Sequence, residues 1–368
     1  MTRFLSQKLR FYSFICISLL LFVHGYNLNE TYLQPFSLVN EPTTFTTFFE
    51  YYIANGVLRF RIPLLFIISG YIFSLQDSRP YLSRIKKRFH SLVIPFLIWS
   101  AFGLLITFAL QQNAFTAKIV YDAQLDQLGD NRPYTQFGFW DMVTRWLLTP
   151  VSFQLWFIRS LFIYNLLYPV LKKLVLKYPI IWFAIMFILM VIKAGFFFIE
   201  AQGMFFFTLG IWLSKARFPV DRVPEWFSHY LSWLFFLGLA FIKTWMAFEF
   251  EEQNFTVAFC MSLLHYVSVI AGVMAVWYSG DQLVAWCMNR KWFVWLTSFS
   301  FIIYAMHVPI LPYMTRLFYM YLDQFQYYRL ATFFIVPFLV FILCVLAGAL
   351  WKKLSPASYS VATGGRGF

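Results

Sequence analysis

The chain has 368 residues, 61% of them hydrophobic, 23% aromatic and only 12% charged, about half the charged share of a soluble domain, which excludes a water-soluble enzyme. The formal net charge of +13 does not point to nucleic acid, because the basic residues lie in short runs between apolar segments, where membrane topology requires them. Lipid is the solvent that this composition fits.

The first apolar stretch follows basic residues at Arg3 to Arg10 and resembles a signal peptide. His24-Gly25-Tyr26 stands where a small-residue cleavage site would be, so the stretch reads as an uncleaved first helix. In all, ten segments carry helix-length apolar runs, at about 10–26, 48–75, 91–111, 152–171, 179–199, 203–214, 227–248, 255–279, 296–315 and 330–351. They predict an all-α, polytopic membrane helix bundle of about ten transmembrane helices, with no internal repeat and one domain over 1–354. The polar, Gly-rich tail 355–368 is expected to be disordered. Residues 138–149 read as a short interfacial helix anchored by Trp140 and Trp146. The loop 112–152 carries Asp122, Asp126, Asp130 and Asp141 without a histidine beside them, which reads as a solvated loop rather than a metal site. Cys16, Cys260, Cys287 and Cys344 are scattered, so neither a metal site nor a disulfide framework is expected.

Charge divides the loops unequally. One side takes 19 Lys/Arg against four acids, Asp77, Asp221, Glu225 and Asp281; the other takes five Lys/Arg against 12 acids. The positive-inside rule then puts both termini in the cytoplasm of a multi-pass protein of the cell (inner, cytoplasmic) membrane. Five basic residues, Arg59, Arg61, Arg159, Lys193 and Lys243, fall inside spans or near their ends. Charges at such depth are costly and mark functional paths or internal pairs.

Arg59 and Arg61 enter the run Arg59-Phe60-Arg61-Ile62-Pro63-Leu64-Leu65-Phe66-Ile67-Ile68-Ser69-Gly70-Tyr71. Pro63 lacks an N–H, so in a helix it frees the carbonyl of Arg59, four residues earlier. The alternative is a kinked span whose arginines pair with acids or reach the interface. His24 closes the first helix near the outer side, and the 14 residues back to Arg10 span roughly 21 Å of rise with the two side chains on one face. An imidazole accepts a proton near neutral pH, so His24 is a candidate general base for a sugar hydroxyl; the alternative is an interfacial histidine bonded to a backbone carbonyl. Further along, the basic cluster Arg84, Lys86, Lys87, Arg88 and His90 serves topology and contacts with anionic lipid. In Gln154-Leu155-Trp156-Phe157-Ile158-Arg159, Trp156 and Arg159 share a helix face, and the tryptophan can pack on a sugar ring or on the guanidinium. His307 lies mid-span three residues after Tyr304, and a buried histidine needs a partner in a structural network as much as in a site. His265 reads as structural.

These motifs carry a resemblance. Arg61-x-Pro63-Leu64-x-Phe66-x-x-Ser69-Gly70-Tyr71 resembles the second-helix signature of the membrane acyltransferase family 3, integral membrane O-acyltransferases. The cluster Pro80–Phe96 resembles that family's basic connection between the second and third helices, Leu155-Trp156-Phe157-Ile158 and Ser300-Phe301-x-x-Tyr304-x-x-His307-x-Pro309 are similar to its later motifs, and the four motifs occur in its order. The resemblance implies transfer of an acyl group, most often acetyl, from acetyl-CoA or another acyl-CoA as donor substrate. The acceptor would be a hydroxyl of a carbohydrate or glycolipid outside the cytoplasm. It puts the catalytic histidine at His24 and the binding residues among Arg10, Arg59, Arg61, Ser69, Trp156, Arg159, Tyr304 and His307. The family often has an arginine where this chain has Ser13, and Arg10 is the nearest substitute. The basic cluster would then meet coenzyme phosphates, with no bound cofactor, and any second transfer step would fall to a separate periplasmic or extracellular partner enzyme. The competing class is an exporter of a polysaccharide or lipid-linked sugar without chemistry, against which stands the lack of an internal repeat.

Overall fold

Thr2 begins the first helix: its hydroxyl accepts from the Leu5 amide at 3.1 Å, and α1 runs from Arg3 to Gly25. The computed structural model describes residues 1–26, 33–125, 130, 132–196, 198–250 and 254–366; Asp126, counted above with the acids of the 112–152 loop, lies outside them. The protein is all-α apart from one short hairpin, as the composition and periodicity predict.

The second span is broken. It starts as α2 (Phe45–Tyr51), loosens into a π turn at Tyr52–Gly56, tightens into a 3-10 turn at Val57–Phe60 and resumes as α3 (Arg61–Ser74). A break inside a membrane protein needs other donors for its carbonyls, and here cations supply them. The Lys243 ammonium donates to the Asn55 carbonyl, and Arg61 Nε donates to the Leu58 carbonyl at 2.5 Å. The acceptor bonded at the break is thus Leu58, one residue before the Arg59 carbonyl that Pro63 frees. After α4 (Tyr81–Arg88) a second π turn leads into α5 (Ile94–Leu110), and α6 (Ala114–Ala123) and α7 (Phe139–Leu147) follow outside the spans. Trp140 on α7 is exposed, as a headgroup anchor would be, whereas Trp146 Nε1 donates to the Leu97 carbonyl of α5 at 2.9 Å and ties α7 to the bundle.

Then α8 (Trp156–Lys177) and α9 (Pro179–Val191) meet at a 116° bend. The segment expected as one helix over 179–199 ends at Val191 instead. Lys193 adopts φ 60°, and the chain turns through a hairpin of β1 (Gly195–Phe196) and β2 (Ile199–Glu200) before α10 (Ala201–Lys215). Helix α10 runs alongside α3 with almost no space between the backbones. A Cβ at Gly70 would lie 2.0 Å from the Phe207 carbonyl oxygen, and one at Gly210 would lie 2.1 Å from that of Ile67. The Gly of the Ser69-Gly70 pair is there for this crossing.

The rest is α11 (His229–Glu249), α12 (Phe255–Ser279), the short α13 (Asp281–Met288) and α14 (Lys291–Thr297), then α15 (Ser300–Leu322) and α16 (Tyr328–Leu354). Each of the ten expected segments contains a helix. Among the described residues, seven helices are long and apolar enough to cross a membrane, or eight if the bent α8–α9 pair counts as one span. The tail corrects the sequence expectation: Pro356–Thr363 is a helix, α17. Tyr359 is fully buried, Trp99 Nε1 donates to the Ala362 carbonyl at 2.9 Å, and Arg366 donates to the Ser91 carbonyl at 2.7 Å. Polar composition suggested disorder, but the two apolar side chains Tyr359 and Ala362, spaced to share a face, dock the helix on the bundle.

One end of the bundle gathers the basic runs and their acids. Asp77 accepts from Arg84 (2.8 Å), Lys172 (2.7 Å), Lys215 (2.6 Å) and Tyr168 (2.7 Å), which joins α4, α8 and α10 at the foot of α3. Burial alone would raise the Asp77 carboxyl, but the hydrogen bonds from Lys172, Lys215 and Tyr168 outweigh it and hold the group well below the usual carboxylate range. Lys8, fully buried, reaches Asp281 at 2.5 Å at the same end. At the opposite end Arg329 pairs with Glu41 at 2.8 Å. The partition of charges read from the sequence is therefore a partition between two ends of the fold.

Candidate active site

Two prolines build the site's floor. Pro309 and Pro312 lie inside α15, and Val308 between the half-helices is non-helical (φ −106°, ψ 131°). Pro309 leaves the Ala305 carbonyl without its helical donor and Pro312 does the same for Val308. Both are taken by the strand of chain before α8: Gln154 Nε2 donates to Ala305 at 3.1 Å and Ser152 Oγ donates to Val308 at 3.0 Å. In return, the Tyr304 hydroxyl donates to the Gln154 carbonyl at 2.7 Å. The Ser152–Gln154 segment is thereby locked against the kink, and Phe153 between them is pushed towards α1.

There Phe153 meets His24, with ring centroids 4.8 Å apart, and His24 also meets His307 at 5.3 Å. His24 makes no hydrogen bond among the described residues, so the bond to a backbone carbonyl that a structural histidine would make is missing. It is also deeper than the sequence suggests. Its neighbour Gly25 packs on Leu311 and on Pro337, the tenth residue of α16, so His24 lies within the bundle rather than at its outer rim. His307 is fully buried. Its Nδ1 faces two carbonyls, Ile303 at 3.0 Å and Tyr304 at 2.9 Å, and must carry the proton there. Its Nε2 is then a bare lone pair, buried and without a partner.

Arg61 completes the centre. It is 2% exposed, its charge acts on both imidazoles, and one terminal nitrogen is buried without a partner. Arg59, one residue beyond Phe60, donates to the Asn55 side chain and keeps its Nε buried and unpaired. Asn55 in turn donates to the Tyr26 hydroxyl at 3.1 Å. The structure thus brings together His24, Arg61, Tyr304 and His307, with Arg59 one step outward, and no metal-ligand cluster is present among the described residues.

The remaining sequence candidates fall elsewhere. Arg159 donates to the Leu148 carbonyl at 2.7 Å at the end of α7 and lies 3.8 Å over the Phe198 ring, while its Nε is buried without a partner. Trp156 is partly buried and packs against Phe66 at 6.1 Å. Ser69, next to the helix crossing, is partly buried. Arg10 lines a cavity of about 430 Å³ at the basic end, together with Ser13, Leu9, Ile72 and Gln76. The family slot Ser13 and its substitute Arg10 therefore face one space, and Arg10 is held there by Thr297 (2.7 Å) and the Val294 carbonyl (3.0 Å). Of the basic cluster, Arg84 is buried in the Asp77 network while Lys86 and Lys87 are exposed. Sequence reasoning missed Ser152 and Gln154 as site builders, although two prolines in α15 required donors from somewhere.

The acyltransferase domain family matches residues 14–352. The chain is 25% identical over 321 residues to the succinoglycan biosynthesis protein ExoH of Rhizobium meliloti (strain 1021), covering 86% of this chain and 81% of that protein. No solved structure matches.

Proposed function

We propose, for a chain that belongs to the acyltransferase domain family and is a multi-pass membrane acyltransferase, that it moves an acyl group, most simply acetyl, from acyl-CoA to a carbohydrate hydroxyl. The glycan acceptor is suggested by the name of the relative, a succinoglycan biosynthesis protein. The reading places the chain in the cytoplasmic membrane, the basic end inside, and the acceptor, a carbohydrate or glycolipid, approaching from the opposite end.

The observation that carries it is the imidazole pair, His24 and His307 with rings 5.3 Å apart and His307 Nε2 buried without a partner, beside the buried and partly unpaired Arg61. In the reaction, the acceptor oxygen attacks the thioester carbonyl and its proton passes to His24. The tetrahedral intermediate places a negative charge on the former carbonyl oxygen, which Arg61 stabilises; such stabilisation is usually the largest catalytic contribution. Collapse breaks the carbon–sulfur bond, forms the ester and releases the coenzyme thiolate, which takes the proton back. His307 Nε2, fixed as an acceptor by the carbonyls at Nδ1, accepts from a second hydroxyl of the acceptor sugar and so orients it, while the reacting hydroxyl gives its one proton to His24. The coenzyme phosphates are drawn to the basic end, where Arg10 and its cavity lie.

The test uses purified protein in nanodiscs, labelled acetyl-CoA and an oligosaccharide acceptor. Label should move to the glycan, and His24→Ala should lower transfer by about 10²–10⁴-fold with folding retained. His24→Ala protein that transfers at the normal rate would shift the base to His307, and wild-type protein that esterifies no glycan would overturn the reading.

A further inference from the structure

Beyond His24, on the side away from the basic end, the break in the second span holds a second polar centre that the acyl-transfer chemistry leaves unused. Lys243 of α11 is 1% exposed, and its Nζ contacts the Asn55 carbonyl, the Pro35 carbonyl at 2.9 Å and His265 Nδ1 at 3.3 Å. Asn55, itself fully buried, bridges from there to Arg59 and to the Tyr26 hydroxyl. Every partner of the ammonium is neutral. Arg59 and Arg61 follow within two turns of the same break, each with a buried nitrogen that has no partner.

No carboxylate among the described residues pairs with Arg59, Arg61 or Lys243, while the carboxylates Asp77, Asp281 and Glu41 are matched with cations at the two ends. Satisfying the broken helix does not require charge: a hydroxyl or an amide would serve the Asn55 carbonyl, as Ser152 and Gln154 serve the kink of α15. Buried cations without counter-charge are costly in a low-dielectric interior unless an anion joins them. Lys243 also lies only 5.8 Å from the Tyr51 ring, a neutral contact that repays part of that cost.

We propose that Arg59, through its unpaired Nε, and Lys243, which adds its charge while its three N–H groups stay bonded, form with Asn55 and His265 a subsite for an anionic group, a carboxylate or phosphate, carried by the substrate beyond the reacting carbonyl. The side of the site rests on the acyl-transfer reading. Along α1 the order is Arg10, then His24, then Tyr26, so a donor whose nucleotide stays at the basic end presents its thioester at His24. What reaches Asn55 and Lys243 is either the far end of the acyl group or the acceptor. The anion is therefore the terminal carboxylate of a dicarboxylic acyl group or an acidic substituent of the acceptor.

The experiment measures binding and turnover on purified protein in nanodiscs with two matched pairs. The donor pair is acetyl-CoA and succinyl-CoA; the acceptor pair is a neutral oligosaccharide and its uronic-acid-bearing counterpart. In one pair the anionic member should bind at least tenfold more tightly. That preference should shrink about tenfold in Lys243→Met and return in Lys243→Arg, which keeps the charge. Preference within the donor pair assigns the anion to the acyl group; preference within the acceptor pair assigns it to the glycan. Wild-type protein that prefers the anionic member of neither pair overturns the subsite without recourse to any variant. Preferential binding without turnover would leave the subsite standing and refute the acyl-transfer reading, while turnover without preference would do the reverse.

Discussion

Replacing Gln154 by Leu tests the proline-built floor of the site. The side-chain amide is the donor for the Ala305 carbonyl at 3.1 Å, with longer contacts to Tyr304 and Val308 at 3.4 Å. Val308 keeps Ser152 and the Tyr304 carbonyl keeps His307, so one acceptor, Ala305, is orphaned. An unmade hydrogen bond to a buried group costs about 1–3 kcal/mol, and interhelical hydrogen bonds in membranes have measured about 0.6–2 kcal/mol. The expected loss is thus about 1–2 kcal/mol, enough to change the folded fraction several-fold in a marginal protein. The catalytic effect should be larger than the stability effect suggests, because the kink carries His307 and a displacement of about 1 Å costs on the order of 10²-fold. The Gln154→Glu variant preserves shape but has no donor when ionised, so it should do no better than Leu. Thermal unfolding followed by tryptophan fluorescence, together with labelled acyl transfer, reads both effects. If Gln154→Leu melts and turns over as the wild type does, the kink does not depend on this donor and the argument fails.

Two further outcomes are expected. Gly210→Leu adds bulk where a Cβ would already lie 2.1 Å from the Ile67 carbonyl oxygen, so α3 and α10 must separate; a destabilisation above the roughly 1–3 kcal/mol of ordinary overpacking should appear as loss of the monodisperse peak on size-exclusion chromatography. The Asp77 carboxyl is depressed in the folded protein by Lys172, Lys215 and Tyr168 despite its burial, so its contribution is complete above about pH 4, where unfolded carboxylates ionise, and is lost only as pH falls below that. The melting temperature of wild type should drop at acid pH while Asp77→Asn, already lower at pH 7, changes less; parallel pH curves would refute this role.

The bundle was legible because lipid imposes a strong filter: apolar length and the placement of Lys and Arg announce helices and ends before any contact is known. What composition could not announce was how helices break. After Pro179 at its start, the apolar run 179–199 carries no further proline and no charge before Lys193, and its end at Val191 is set by the hairpin and by packing of Ser262 on the Val191 carbonyl at 2.6 Å. Arg159 is marked in the sequence by its depth alone, and only the position of α7 reveals the carbonyls it bonds. The tail was misread because a polar composition hides two well-spaced apolar side chains, Tyr359 and Ala362. The site followed the same division. His24 and His307 were each visible in their motifs, but their meeting needs α1 and α15 side by side, and nothing in either motif says that Phe153 packs on His24 or that Gln154 holds the kink beneath His307.

Charge in this fold is arranged by depth. The acids that the structure describes in ion pairs, Asp77, Asp281 and Glu41 among them, stand at the two ends and are matched by cations there. Arg59, Arg61 and Lys243 stand between the ends, at the break of one helix, with only neutral partners. Neutral donors hold the kink of α15, and cations hold the break of α2–α3. That contrast ties the helix break to chemistry. A bundle needing only backbone satisfaction would use hydroxyls and amides at both places, whereas a site that must accommodate an anionic intermediate gains from positive charge fixed before the reaction begins. On the proposed acyl-transfer reading, the same residues that make Arg59-Phe60-Arg61-Ile62-Pro63 an expensive sequence to bury give it an electrostatic task that no lipid-facing helix could perform.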